Sequence, residues 1–92
     1  MAAVTVRLPA LLAQIAGVKA LAVDAVTPGD ALRLLIEHHP GLGVLIYDET
    51  GHLREHVLCY HNDDDTRWHD DGLNRALEDR DTLTIVQAVA GG

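Results

Sequence analysis

The residues whose types and placement could do chemistry stand together at the end of the sequence, in the run Ala88-Val89-Ala90-Gly91-Gly92. Glycine lacks a Cβ, so two glycines in a row make the thinnest peptide thread and open backbone angles closed to other residues. A thread of this kind fits through a narrow channel and presents its carboxylate to another protein's active site without steric shielding. The expectation is therefore that the Gly92 carboxylate is the working group and that Gly91 is its spacer. The carbonyl of Gly92 has no side chain beside it, so attack on it is unhindered.

No other grouping competes well. His52, His56 and His61 are spaced by four and five residues with Cys59 among them, but a tetrahedral zinc set needs a fourth ligand that the spacing does not supply. The expectation is no metal. Cys59 alternates with strand-like neighbours and reads as a small buried apolar group rather than a nucleophile. Asp70-Asp71 with Glu78 and Asp79 reads as an acidic surface. There is no glycine-rich phosphate loop with a lysine and no nucleophile elbow, so the chain is expected to bind no cofactor itself and to be no enzyme.

Composition narrows the partners. The net charge of −7 repels nucleic-acid phosphates and anionic membrane surfaces, and favours either a basic protein partner or plain solubility. Ninety-two residues fit one domain, 1–92. The 48% of apolar residues includes no Phe, one Trp and two Tyr, so Val, Leu and Ile must build the core. A single cysteine forms no internal disulfide, no signal peptide is seen and no apolar stretch is long enough to cross a bilayer. The chain reads as a cytoplasmic protein, a monomer when free.

The elements that must position the tail follow from periodicity. Val4, Val6 and Leu8 alternate with Thr5 and Arg7, as in a half-buried strand. Residues 10–15 fit a short helical turn stopped at Gly17, and residues 19–23 a second strand antiparallel to the first. Thr27-Pro28-Gly29-Asp30 is a helix start: a capping hydroxyl, a proline for the first turn and an acid near the positive end of the helix dipole. Leu32, Leu35 and Ile36 follow at helical spacing until Pro40-Gly41 end the helix. Residues 44–47 are ambiguous between strand and helical turn, and Asp48-Glu49-Thr50-Gly51 is a turn.

Residues 57–61 form the next strand, with Val57 and Cys59 on one face and Leu58 and Tyr60 on the other. Asn62-Asp63-Asp64-Asp65 turns into a short piece around residues 66–68, where Trp68 partly covers the core edge. Residues 73–77 resemble a short helix. Residues 82–86 form the last strand, Leu83 and Ile85 facing together, and a flexible tail, 87–92, leaves the body. The order points to an α+β layer: a mixed sheet of four to five strands with one main helix on one face.

Four segments together resemble the MoaD/ThiS sulfur carriers, which share the ubiquitin-like β-grasp fold. These are Val4-Thr5-Val6-Arg7-Leu8 with Pro9-Ala10-Leu11-Leu12; Thr27-Pro28-Gly29-Asp30-Ala31-Leu32 through His38-His39-Pro40-Gly41; His61-Asn62-Asp63-Asp64-Asp65; and Asp81-Thr82-Leu83-Thr84-Ile85-Val86 ahead of the tail. Within that family the likeness is greatest to the CysO-type carriers of cysteine synthesis. The chain departs from the pattern at Gln87, where proline is common, at Arg80, where glycine is usual, and at His61, which replaces an apolar residue.

The resemblance implies that a ubiquitin-activating-type partner uses ATP to adenylate Gly92. A persulfide or sulfide then converts it to a thiocarboxylate, and a sulfur-accepting synthase takes up the sulfur, a pyridoxal-phosphate cysteine synthase being one form. Because Leu58 and Tyr60 face away from Val57 and Cys59, they offer an exposed apolar patch beside the tail that fits a docking surface for these partners, and Val89 and Ala90 of the tail are expected to contact them as well. A molybdopterin synthase small subunit, a ubiquitin-like protein modifier and a plain interaction domain remain open alternatives.

Overall fold

The computed structural model describes residues 1–88. Strand β1 (Ala2–Arg7) buries Ala2, Val4 and Val6 and exposes Ala3, Thr5 and Arg7. That is the two-residue period the sequence calls for, begun two residues earlier. Pro9 stops it, and α1 (Ala10–Ala16) follows, sinking Leu12 into the core and ending at Gly17, whose φ of +79° is the left-handed turn that favours glycine. β2 (Ala20–Ala25) returns antiparallel to β1 in unbroken register from Ala2–Ala25 to Arg7–Ala20.

The main helix is α2 (Pro28–His38). Thr27 Oγ1 accepts the Asp30 amide at 3.1 Å, and the Asp30 carboxylate accepts the Val26 N–H at 3.1 Å. The acid thus reaches one residue beyond the cap, clamping the approach to the helix rather than the cap's own amide. Ala31, Leu32 and Leu35 are fully buried and press α2 onto the sheet. A 3₁₀ turn, Pro40–Leu42, leads to the short helix α3 (Gly43–Ile46). This makes residues 44–46 of the ambiguous 44–47 stretch helical, with Leu42 and Ile46 buried, while Tyr47 is extended and bridges Leu53.

β3 (Val57–His61) and the two-residue β4 (Asp64–Asp65) flank a turn at Asn62, whose φ is +56°. β5 (Thr82–Gln87) completes a five-stranded sheet in the order β2-β1-β5-β3-β4. β5 lies parallel to β1 and antiparallel to β3, so the last strand occupies the centre. A helix crossing a mixed sheet whose first and last strands are parallel neighbours is the β-grasp, α+β arrangement. The core is aliphatic apart from Cys59, and each fully buried Leu, Ile or Val stabilises the fold by about 1.5–3 kcal/mol.

Three expectations need correction. Residues 73–77 do not form a helix: a single 3₁₀ turn covers Gly72–Asn74, and beyond it the Leu77 amide donates to the Val26 carbonyl at 3.0 Å, tying the chain down in extended form. Leu73 and Leu77 both pack on the core without a helix between them. Trp68 does not cover the core; it is 78% exposed. Gln87 does not belong to a departing tail but pairs with Val57 as the last residue of β5, and the Ala88 amide still donates to the His56 carbonyl at 2.7 Å.

Candidate functional site

The strand alternation that builds the core leaves the opposite face of the sheet uncovered. On it, Leu58 of β3 lies directly across from Val86 of β5, and Tyr60 directly across from Thr84. All four are half-buried. Arg7 of β1 stands on the other side of Thr84 in the parallel ladder. One row therefore crosses the sheet as Ala20, Arg7, Thr84, Tyr60 and Asp65. Leu58 and Val86 sit nearer the end where β5 leaves. The structure thus brings Leu58 and Tyr60 together on the face away from α2. Val89, Ala90, Gly91 and Gly92 lie outside the described residues.

At the β4 edge the row ends in a charged clamp. Both Asp65 carboxylate oxygens accept from the Arg67 guanidinium, at 2.9 to 3.3 Å, and Oδ1 also accepts the Arg67 amide. The guanidinium beside it, more than the amide, holds the Asp65 carboxyl below the usual carboxylate range. The Arg67 guanidinium carbon lies 5.4 Å from the centre of the Trp68 ring, a cation–π distance. Trp68 is thereby held beside the clamp with its ring exposed. The sequence reading missed this; the adjacency of Asp65, Arg67 and Trp68 was its available signal.

At the entry to β5, Asp81 gathers three donors. Its carboxylate accepts the Glu78 amide at 2.9 Å, His61 Nε2 at 2.6 Å and Asn62 Nδ2 at 3.2 Å. The Glu78 amide, then His61, hold the Asp81 carboxyl below its usual range. Asn62 closes the ring by accepting the Thr82 amide at 2.9 Å. His61 is buried with Nδ1 unpartnered. The histidine that replaces an apolar strand residue is thus a bridge to the β5 loop.

The other candidate residues are dispersed. Cys59 is fully buried, and burial pushes its thiol up to about 12. His52 Nδ1 meets Thr50 Oγ1 at 2.9 Å within the 48–52 turn, and Asp79 accepts the Ala3 amide. Among the described residues no group of three or more His, Cys, Asp or Glu side chains is placed to hold a metal ion. No helix among them is long and apolar enough to cross a membrane.

What the arrangement offers is a rigid mount and an open apolar face beside the strand that carries the tail. That defines a small ubiquitin-like carrier protein. The chain belongs to the ThiS family, whose match covers residues 6–92, and it is a sulfur carrier protein of the ThiS/CysO type. It is similar to the sulfur carrier protein CysO of Mycobacterium tuberculosis, at 35% identity over 97% of this chain and 98% of that protein. Among solved structures it is similar to CysO in the BexX/CysO complex of Amycolatopsis orientalis, with 33% identity, a TM-score of 0.84 and coverage of 97% of this chain and 99% of the other. It is also similar to small archaeal modifier protein 1 of Methanosarcina acetivorans, with 32% identity, a TM-score of 0.86 and coverage of 100% and 98%.

Proposed function

We propose that the protein carries sulfur as a thiocarboxylate on Gly92. The observation that supports this best is the course of β5. It is gripped on both sides, by β1 and by β3, and its ladder with β3 holds as far as Gln87. Four further residues separate Ala88 from the terminal carboxylate, a reach of at most about 14 Å. A partner seated on Leu58, Tyr60 and Val86 would have its reaction centre within that reach.

In the reaction proposed, a Gly92 carboxylate oxygen attacks the α-phosphorus of ATP on an activating enzyme and pyrophosphate leaves. Hydrosulfide then attacks the acyl carbon, the bond to AMP breaks, and the thiocarboxylate forms. With an enzyme persulfide as donor, the first product is an acyl disulfide, which a second thiol cleaves to thiocarboxylate and an enzyme disulfide. The thiocarboxylate is ionised at neutral pH and outdoes a carboxylate as nucleophile at an acceptor held by a synthase. The carrier is one domain with a short tail, binds no nucleotide of its own, and works in the cytoplasm beside its ATP-using partner. The likeness to CysO favours a synthase that makes cysteine.

A second reading, a protein modifier joined through Gly92 to target lysines, is favoured by the likeness to small archaeal modifier protein 1. Intact-mass analysis of the protein isolated from its own cells separates the two. The mass gain of sulfur for one oxygen at the terminus is expected. Isopeptide-linked adducts with no such species would overturn the carrier reading.

A further inference from the structure

The chain is acidic, yet its cations are unevenly used. Arg33 is bonded to Asp30 and Glu37, Arg67 to Asp65, and Arg75 lies within 4.0 Å of Asp64 and Asp71. Arg54 Nε donates to the Val44 carbonyl at 2.6 Å. Among the described residues, Arg7, Lys19 and Arg80 have neither a carboxylate partner nor a side-chain hydrogen bond. Two of those three, Arg7 and Lys19, line the same groove, an open depression of about 900 Å³ between α1 and the uncovered face of β1 and β2.

The groove is built to receive a chain. Ala10, Ala13 and Ala20 give it a floor without bulk, and Thr5 and Thr82, directly opposite each other across β1 and β5, put hydroxyls at one end. Arg7 and Lys19 are both exposed. A small hydrated anion would gain little from cations that remain in water. A peptide segment gains more, because it buries apolar surface against the alanine floor while its carboxylates meet the two cations. The groove touches β5 at Thr82, the first residue of that strand, and otherwise belongs to β1, α1 and the start of β2.

We infer that this groove is a second docking site and that its occupant is an acidic segment of a partner protein. The net charge of −7 points by itself to a basic partner, but the two charged side chains that line this groove are both cations. The inference stands on charge and shape alone and does not depend on sulfur transfer.

The test is an amide chemical-shift titration of the full, isotope-labelled chain with an alternating Glu-Ala peptide and, in parallel, its Gln-Ala counterpart and inorganic phosphate. The Glu-Ala peptide should shift amides clustered at Thr5, Arg7, Gln14, Lys19 and Ala20, and the Gln-Ala peptide should not. The pair Arg7→Glu and Lys19→Glu should weaken binding by about tenfold or more, and Arg7→Gln with Lys19→Gln by less. Arg33→Glu should leave it unchanged. Each variant's own spectrum reports whether it is folded. Scattered shifts, equal shifts with the Gln-Ala peptide, no loss on charge reversal, or the same shifts with phosphate alone would overturn the inference.

Discussion

His61 Nε2 lies 2.6 Å from the Asp81 carboxylate, joining the end of β3 to the loop that feeds β5. The same carboxylate holds the Glu78 amide. Asp81→Ala should therefore destabilise the fold by about 2 kcal/mol, because it strands donors that folding has withdrawn from water. Asp81→Asn should reveal the charge. The native Asp81 pKa is depressed, so its contribution is whole above about pH 4 and is lost as pH falls through the lower native value. Urea midpoints measured from about pH 6 down to pH 2 should decline less steeply in Asp81→Asn than in the parent. Asp30, Asp48 and Asp65 are depressed as well, so some decline should persist.

Arg80 has a φ of +75° between Asp79 and Asp81. A left-handed backbone at a residue with a Cβ costs roughly 1–2 kcal/mol. Its amide also donates to the Ala3 carbonyl at 2.8 Å, so the loop cannot relax without losing a bond to β1. Arg80→Gly should raise stability by about 1 kcal/mol, the relief of strain exceeding the added freedom of the unfolded chain. A lower thermal midpoint in that variant would refute the strain.

Cys59 is walled in by the core, and its thiol is pushed up to about 12, chiefly by burial and secondarily by Asp65. Alkylation by iodoacetamide at about pH 8 should be negligible in the native protein and should track global unfolding in denaturant. Fast labelling of the folded protein would show that this part of the core opens locally.

Leu58 and Tyr60 share the open face with Val86, and neither belongs to the fully buried core. Leu58→Glu and Tyr60→Glu should each keep the fold while lowering kcat/KM for activation by the cognate adenylating enzyme by about tenfold or more. Circular dichroism supplies the first check and pyrophosphate release the second. Unchanged turnover with both variants would remove this face from the docking reading.

Where local chemistry decided the outcome, the sequence was easy to read. Thr27 and Asp30 cap α2 with their own side chains, and Gly17 ends α1 through its own φ. β3 has the boundaries its alternation indicates, Val57–His61. Tertiary partners decided the rest. Leu73 and Leu77 carry helical spacing, but the Val26 carbonyl claims the Leu77 amide. Trp68 looks like core by type, but Asp65 and Arg67 fix the 3₁₀ turn that turns it outward. Arg7 and Lys19 are twelve positions apart, and only the antiparallel return of β2 brings them to one groove. The open face splits in the same way: that Leu58 and Tyr60 share it was legible from alternation, the His61–Asp81 bridge was not.

The central place of β5 has a consequence for synthesis. Without Thr82–Gln87, β1 and β3 have no strand between them, so the two halves of the sheet stay apart until nearly all of the described chain has been made. Its long-range pairings close last, at the greatest cost in loop entropy. A product cut short before β5 would be an open sheet, removed by proteolysis rather than stored. Completion of β5 and closure of the sheet's open face are, in this topology, the same event.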